Sequence, residues 1–445
     1  MPAYQRPRGT QDVLPEATAK WRRLEALIAG HSASFGYGEI RTPIFEESDL
    51  YTRTSGVSSD IVRKEMYTFK DRGGRLLTLR PEGTAGVGRA YLENGLPSAP
   101  QPVKLWYLGP MFRYDRPQAG RFRQHTQYGI EVFGAASPLA DVEVILVAHD
   151  LFAAAGLTRL VIRLNSIGCP ACRPAYRAKL VSYFEGRVGD LCDDCQDRFR
   201  ENPLRLFDCK NERCRALLLG APMSADNLCP ECRSHFARVK EGLGSLGLRY
   251  ADDPGLVRGL DYYSRTVFEI VYDPAGTGGN EAGGAAKDEA GGGSHRVLCG
   301  GGRYDGLVEE LGGAPTPGVG FGLGVERLLA TLEAEGLEAA GEGGTTGLSA
   351  GVVYVATVGP AAEIAGFGLA RRLRRAGFVA ICDLLGRSLR SQFKAGDRAG
   401  ARWMLIIGDE ELAAGVVAVR DLASGKQTSV PADEVLAELG RGAQS

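Results

Sequence analysis

The segment 104–134 constrains the fold most strongly, because strand-like apolar residues alternate there with charges that would face a cavity. Its pattern predicts two β-strands, the first ending near Met111 and the second covering 128–133, joined by a long turn rich in arginine. Gln127 and Glu131 lie four residues apart, and on a strand this even spacing puts both side chains on one face. We therefore expect a sheet with one polar, ligand-facing side.

Cations are concentrated in and beside this turn. They include Arg113, Arg121 and Arg123, and Gln118 lies between them. A guanidinium group matches phosphate oxygens with two parallel hydrogen bonds, so arginines next to a carboxylate suit a ligand that carries both phosphate and ammonium groups. The spacing alone also fits a hairpin whose basic tip is simply solvated.

Length and composition set the outer limits. A chain of 445 residues exceeds the roughly 250–300 residues that one core usually supports, so we expect at least two domains. No stretch approaches the roughly 20 uninterrupted apolar residues of a membrane span, and the first residues lack the apolar core of a signal peptide. We expect a soluble cytoplasmic protein with no membrane partner. The net charge of -1 neither requires nor excludes a nucleic-acid partner.

The segment 76–92 combines a strand pattern with polar groups. The strand passes through Pro81 and Gly83 into a helical pattern. Glu82 and Thr84 at this turn either meet a ligand amine or cap the helix.

Two later segments also place cations next to strand patterns. In 255–272, Arg258 stands in a glycine-flanked turn before Tyr262 and Tyr263. Adjacent strand residues face opposite sides, so we expect one phenol to reach a ligand and the other to pack. In 318–332, a glycine-rich strand runs into a helix whose start carries Glu326 and Arg327. Either Arg327 binds a ligand or the two residues form an exposed charge pair.

The region 168–240 is rich in cysteine. Its cysteines form the pairs Cys169 and Cys172, Cys192 and Cys195, Cys209 and Cys214, and Cys229 and Cys232. C-x-x-C spacing lets two thiolates hold one tetrahedral ion, so these residues could form two structural zinc sites. Unligated, packed thiols in a helical insertion are the alternative. Nothing in the sequence places these cysteines near the cavity residues.

The C-terminal part alternates β and α patterns. This alternation predicts a small, partly parallel α/β domain in 352–445, after a polar, glycine-rich linker at 333–351. Arginines crowd the stretch 371–402, where they would either neutralise a nucleic-acid backbone or form a solvated helix face. A glycine and alanine tract at 273–294 predicts a loop without fixed structure.

The string FRYDRPQAGRFRQHTQYGIEVFG closely resembles motif 2 of class II aminoacyl-tRNA synthetases, in the form found in histidyl-tRNA synthetases. FGYGEIRTPIFE resembles motif 1, GVGFGLGVERLLATL resembles motif 3, and GLVRGLDYYSRTVFEIVY resembles the histidine-specific motif. The C-terminal domain resembles the anticodon-binding domain of the same family. The resemblance covers nearly the full chain. It implies an α/β protein whose α+β catalytic core, an antiparallel sheet flanked by helices, spans 1–332 and is interrupted by the insertion 168–240.

The resemblance also implies a reaction. L-Histidine would be activated with ATP and Mg²⁺ to histidyl-adenylate and passed to the 3′ end of tRNA(His), in a homodimer formed through motif 1. Arg113 and Arg258 would be the catalytic cations at the α-phosphate. The implied ATP-binding residues are Arg113, Arg121, Arg258 and Arg327. The implied histidine-binding residues are Glu82, Thr84, Gln127, Glu131, Tyr262, Tyr263 and Tyr304. Gln118 and Arg123 are candidates for contact with tRNA.

Two other functions fit part of the chain. A regulatory paralogue of the synthetase, acting on ATP phosphoribosyltransferase in histidine biosynthesis, would share the core but lack the anticodon-binding domain. A zinc-dependent nucleic-acid-binding module without catalysis would use the cysteine pairs and the basic helix, but it leaves the ordered core motifs unexplained.

Overall fold

The computed structural model describes residues 4–56, 59–115, 121–274, 296–337 and 351–443. Gln118, most of the tract 273–294 and most of the linker 333–351 lie outside the described residues. The first elements are α1 (Pro15–Ser34), β1 (Gly38–Glu39), β2 (Phe45–Glu47), α2 (Ser48–Ser55), β3 (Tyr67–Lys70), β4 (Leu76–Leu79), α3 (Thr84–Glu93), β5 (Val103–Phe112), β6 (Gln124–Phe133) and α4 (Pro138–Ala154). A helical turn at Ile61–Glu65 separates α2 from β3.

The middle of the chain holds the insertion and the rest of the core. Its elements are β7 (Leu160–Ser166), α5 (Arg173–Phe184), α6 (Asp193–Glu201), α7 (Glu212–Leu218), α8 (Pro230–Ser245), β8 (Tyr250–Asp252), β9 (Ser264–Tyr272), β10 (Arg296–Arg303), α9 (Leu307–Glu310), β11 (Gly318–Gly324) and α10 (Val325–Ala334). The insertion leaves the core after β7 and returns before β9. Helices α5 to α8 therefore lie, in the sequence, between two strands that pair with each other in one sheet.

The core is an eight-stranded sheet in the order β1-β5-β6-β11-β10-β9-β7-β8. All its pairings are antiparallel except β1 with β5 and β7 with β8 at the two edges. A separate three-stranded antiparallel sheet has the order β2-β4-β3. The predicted antiparallel core is confirmed. The segment 104–134 forms β5 and β6, which pair with each other near one edge of this sheet.

Helices cover one side of the large sheet. The apolar residues Leu24, Leu27 and Ile28 recur at helical spacing on α1 and are all buried. Helix α4 is apolar on nearly all sides, as expected for a helix enclosed between a sheet and other helices. This covered side leaves the opposite side of β6, β11, β10 and β9 available for a ligand.

The C-terminal part forms the predicted partly parallel α/β unit. Its elements are β12 (Val352–Thr357), α11 (Pro360–Arg375), β13 (Val379–Cys382), α12 (Leu389–Arg398), β14 (Trp403–Ile407), α13 (Asp409–Ala414), β15 (Val416–Asp421), β16 (Gln427–Pro431) and α14 (Val435–Ala443). The sheet order is β13-β12-β14-β15-β16, with β12 parallel to both neighbours and the remaining pairs antiparallel. Within the described part of the chain, no helix is long and apolar enough to cross a membrane.

Candidate active site

A cavity of about 840 Å³ opens over the uncovered side of the large sheet. The predicted residues that line it are Glu82, Thr84, Arg113, Arg121, Gln127, Arg258, Tyr262, Tyr263 and Arg327. Residues separated by more than 240 positions in the sequence therefore meet in one place, at the ends of β4, β5 and β6 and along β9 to β11. Glu131 and Tyr304 are fully buried directly behind this wall.

Glycines make room for the polar side chains of β6. A Cβ atom added at Gly320 would collide with the Glu131 carboxylate, and one added at Gly322 would collide with the Gln127 amide. Alternate residues of β11 face the same side, so glycine at every second position leaves that side bare. As their even spacing predicts, Gln127 and Glu131 lie on one face.

Glu131 is held by two hydroxyl groups. Thr84 Oγ1 donates to Glu131 Oε1 over 2.7 Å, and the Tyr304 hydroxyl donates to Glu131 Oε2. Burial raises the pKa of Glu131 to about 8, because a charged carboxylate is poorly solvated there. The carboxyl group can therefore change its charge near neutral pH when a ligand arrives.

Glu82 occupies the start of α3. Its carboxylate accepts the backbone N–H groups of Thr84 over 2.7 Å and Ala85 over 2.9 Å. Glu82 thus caps the helix, as one of the two interpretations of this turn expects, and it also lines the cavity. Burial raises the pKa of Glu82.

The cavity arginines are each fixed by a neighbour. Arg113 Nε donates to Pro81 O over 2.7 Å. Arg258 Nη1 donates to Glu269 Oε1 over 2.7 Å, and its guanidinium lies against Gly300, where a Cβ atom would collide with it.

Two further arginines complete this cationic side. Arg327 Nη1 donates to Val297 O over 3.0 Å, and Arg121 Nη1 lies 3.6 Å from Asp115 Oδ2. Fixed cations on one side of a cavity are the arrangement that binds an anionic ligand without reorganisation.

One sequence prediction at this site is wrong. Tyr262 and Tyr263 both line the cavity, with their ring centroids 4.7 Å apart, instead of facing opposite sides. They precede β9, which begins at Ser264, so the alternation of a strand does not apply to them. Arg123 stacks over the Tyr114 ring at 3.8 Å and is not among the residues that line the cavity.

Several contacts and residues of the site were not predicted from the sequence. Gln127 Nε2 donates to the Tyr107 hydroxyl over 3.0 Å, and Glu326 accepts the Thr126 N–H over 2.7 Å instead of forming an exposed charge pair. Burial and the nearby Arg113 lower the pKa of His125 to about 3, so its ring is neutral. Glu269 carried a usable signal, a lone carboxylate within the apolar strand TVFEIVY.

The cysteines form two compact groups. Cys169, Cys172, Cys229 and Cys232 have sulfur atoms within 4.8 Å of one another, as do Cys192, Cys195, Cys209 and Cys214. Backbone N–H groups point at the sulfurs, as in Cys192 N to Cys214 Sγ at 3.2 Å and Cys229 N to Cys172 Sγ at 3.1 Å. Four sulfurs in such a group match the ligand number of a tetrahedral metal site.

The core sheet with its cationic cavity, joined to a C-terminal α/β domain, defines a class II aminoacyl-tRNA synthetase. The model of the "Histidyl-tRNA synthetase" family matches residues 9–170, and that of the "Anticodon binding domain" matches residues 352–441. The chain belongs to the histidyl-tRNA synthetase family, because curated relatives match it at high identity over almost its whole length.

Two such relatives are each named histidine–tRNA ligase. The one from Desulforudis audaxviator is 53% identical and covers 99% of both chains. The one from Moorella thermoacetica is 50% identical over 96% of this chain and 95% of its own. Among solved structures, apo histidyl-tRNA synthetase of S. aureus is 38% identical, with a TM-score of 0.61 over 98% of this chain and 99% of that one.

Proposed function

We propose that this chain is a histidine–tRNA ligase, which activates L-histidine with ATP and transfers the histidyl group to the 3′ end of tRNA(His). The observation that carries the proposal is one cavity in which fixed arginines stand beside buried carboxyl, amide and phenol groups. Such a cavity suits a ligand pair with a phosphate chain on one side and an amino acid on the other. The regulatory paralogue is disfavoured, because the ligase relatives match almost the whole chain and the anticodon-binding model matches 352–441.

The amino-acid side of the cavity selects histidine. Glu82, Thr84 and Gln127 hold the amino and carboxyl groups. Glu131 and Tyr263 bond the imidazole, while Tyr262 and Tyr304 close the pocket around it. A pocket whose buried polar groups need both imidazole nitrogens leaves those groups unpaired when another amino acid enters, which discriminates strongly.

The nucleotide side stabilises charge. Arg113 bridges the histidine carboxylate and the α-phosphate, and Arg258 meets the same phosphate from the opposite side. Arg121 and Arg327 hold the rest of the triphosphate, with Mg²⁺ neutralising its oxygens. The carboxylate attacks the α-phosphorus and pyrophosphate leaves, so these residues act by positioning and by fixed charge.

Two regions contact the tRNA. In the basic stretch 371–402, Arg371 pairs with Asp150 and Arg374 is buried. The exposed Arg390, Lys394 and Arg398 neutralise the anticodon stem. We assign contact with the acceptor end to Arg123 and Gln118, which lie between β5 and β6 in the sequence. The domain limits we propose are 1–332 for the core, with 168–240 as the insertion, 333–351 for the linker and 352–445 for the anticodon-binding domain.

Each cysteine group holds one structural Zn²⁺. Zinc is favoured because thiolates are its preferred ligands in closed tetrahedral sites, and the N–H groups aimed at the sulfurs stabilise thiolate charge. A purified protein with well under one zinc per chain would contradict this assignment.

The protein acts as a homodimer in the cytoplasm. Apolar side chains stand exposed on and beside the three-stranded sheet, namely Phe45 at 52%, Leu76 at 50%, Ile44 at 45% and Phe69 at 43%. Phe45 and Phe69 lie next to each other, with their ring centroids 6.5 Å apart, and an exposed apolar patch of this kind marks a protein interface. Light scattering that finds a monomer at working concentration would contradict the proposed homodimer.

Exchange of labelled pyrophosphate into ATP tests the activity directly. We expect exchange with histidine and with none of the other standard amino acids, in the absence of tRNA. Charging of tRNA(His) by the same preparation is the second step. Folded, ATP-binding protein that gives no exchange would favour the regulatory paralogue.

A further inference from the structure

The two cysteine groups have different surroundings. We call Cys169, Cys172, Cys229 and Cys232 the root cluster, and Cys192, Cys195, Cys209 and Cys214 the wall cluster. Cys192 and Cys209 are among the residues that line the active-site cavity, whereas that lining, as the structure describes it, includes no member of the root cluster. The root cluster groups with Leu228, at the place where the insertion begins and ends.

The wall cluster encloses a stretch of cavity wall. Asp208, Lys210 and Asn211 line the cavity on either side of Cys209. Asn211 N donates to Cys209 Sγ over 3.4 Å, and the Asn211 side chain caps α7, which carries Cys214. The remaining cysteines stand at and within the start of α6. An ion held by these four residues would therefore fix both ends of the wall at once.

The same wall is tied to the catalytic core by charge. Asp60 Oδ2 accepts Arg198 Nη2 over 3.0 Å and Arg205 Nη2 over 2.9 Å. Arg205 Nε also lies 3.7 Å from Asp208 Oδ2, and the Arg205 side chain is only 4% exposed. Arg198 belongs to α6 and Arg205 to the turn that follows it, so both depend on how the wall cluster holds these elements.

Asp208 brings this network to the nucleotide side of the cavity. It lines the cavity together with Arg258, and Arg198 and Arg205 line the same cavity. A displaced wall would alter the electrostatic surroundings of Arg258 without touching the sheet that carries Gln127 and Glu131.

We propose that the wall cluster is a metal site, suited to Zn²⁺, whose occupancy holds the insertion wall in place and thereby sets the affinity of the cavity for ATP. The root cluster fastens the base of the insertion and leaves the cavity unaffected. This assignment rests on the proposed function, because the nucleotide side of the cavity is defined by it.

Matched serine variants separate the two clusters. Cys192 and Cys169 are each the partly exposed first cysteine of a C-x-x-C pair. We expect Cys192→Ser and Cys169→Ser each to lose about one zinc per chain. Cys192→Ser should raise the KM for ATP in pyrophosphate exchange about tenfold or more, and Cys169→Ser should change it by less than about twofold. Hydrogen exchange in 203–211 should accelerate only in Cys192→Ser.

Asp60→Asn is the second variant, in case Cys192→Ser does not fold. It keeps every cysteine, so we expect full zinc content with faster hydrogen exchange in 203–211 and a raised KM for ATP. Equal effects of the two serine variants, or wild-type protein without zinc at the wall cluster, would overturn the assignment. An unaltered wall in Asp60→Asn would do the same.

The proposed function can fail separately. The ligase would be refuted if the wild-type protein carried two zinc ions but gave no histidine-dependent pyrophosphate exchange. The wall assignment would still stand if hydrogen exchange differed between Cys192→Ser and Cys169→Ser as expected. Histidine-dependent exchange without any contrast between the serine variants would refute the wall assignment alone.

Discussion

The cavity has two walls of different construction. The sheet wall, formed by β6, β11, β10 and β9, holds its side chains through backbone register and burial, and Glu131 is 0% exposed. The insertion wall, 192–211, is held by cysteines and by ion pairs at its margin, such as Lys64 with Asp194 at 57% and 66% exposure. Substitutions in the sheet wall should therefore remove groups that contact the substrates. Substitutions in the insertion wall should instead displace the wall and change the cavity indirectly.

The interactions that hold the two walls also differ in free energy. A buried polar group left without its partner costs about 1–3 kcal/mol, whereas an exposed ion pair contributes about 0–1 kcal/mol. The following substitutions measure this difference, in order of expected effect.

Arg113→Ala should have the largest effect. Removing a fixed cation from the developing phosphate charge should lower the kcat of pyrophosphate exchange about 10²–10³-fold, with little change in folding. Arg53→Ala is the matched control, since Arg53 pairs with Asp49 over 2.6 Å while 66% exposed. A kcat within a few-fold of wild type would take Arg113 out of the catalytic step.

Glu131→Ala should act on histidine and not on ATP. Loss of a buried partner for the imidazole should raise the KM for histidine about 10–100-fold and leave the KM for ATP within about threefold. Steady-state exchange rates at varied histidine and varied ATP measure both constants. Equal increases would mean that Glu131 supports the whole site and does not contact the imidazole.

Gly322→Ala tests the bare face of β11. A methyl group there meets the Gln127 amide, so the KM for histidine should rise about tenfold through displacement of a binding group. Gly324→Ala, on the same strand, meets only the Arg327 Cβ at 4.0 Å, which is an ordinary contact, and should change the KM by less than about threefold. Similar values for the two variants would show that the bare face does not position Gln127.

Stability should depend on pH through Glu131. Its pKa is raised by burial to about 8 in the folded chain from 4.5, so its contribution to stability is fully present below pH 4.5 and is lost as the pH rises toward 8. Glu131→Gln cannot ionise, and its Tm should gain on that of the wild type between pH 5 and pH 8. Parallel Tm curves for the two proteins would contradict the raised pKa.

Lys64→Ala should have the smallest effect. Its exposed pair with Asp194, 3.0 Å apart, lies at the edge of the insertion wall, so we expect less than about 1 kcal/mol in unfolding free energy and less than about a twofold change in exchange. A tenfold loss of pyrophosphate exchange would mean that surface charge alone holds the insertion wall. It would contradict the proposed role of the cysteines in that wall.

The sheet wall was largely predictable because its signals are local. Even spacing put Gln127 and Glu131 on one face, and the glycine-rich pattern of 318–332 predicted β11 and the helix that carries Arg327. The prediction that Tyr262 and Tyr263 face opposite sides was wrong because they precede the strand, where the alternation of side chains has not begun. Glu326 was predictable as a helix-start charge, but its partner Thr126 lies 200 positions away.

The insertion wall was hardly predictable. C-x-x-C spacing identified three of the four cysteine pairs, because two ligands of one ion then lie within a single turn of chain. How the pairs combine depends on long-range folding, and the structure joins the first pair with the fourth and the second with the third. Their approach to the cavity depends on Asp60, Arg198 and Arg205, which no local pattern connects.

Local patterning was therefore sufficient for the strands β5 and β6 and for the C-terminal α/β domain, and the resemblance of the motifs implied the antiparallel core, the family and most of the groups on the sheet side of the cavity. The periodicity of a strand or a helix depends on residues that are close in the sequence, so it can be recognised within a short motif. The partnership of the two cysteine clusters, the burial that raises the pKa of Glu131 and the closing of the cavity by the insertion belong to tertiary structure alone. They arise from contacts between distant segments, whose free energies exist only once the chain has folded.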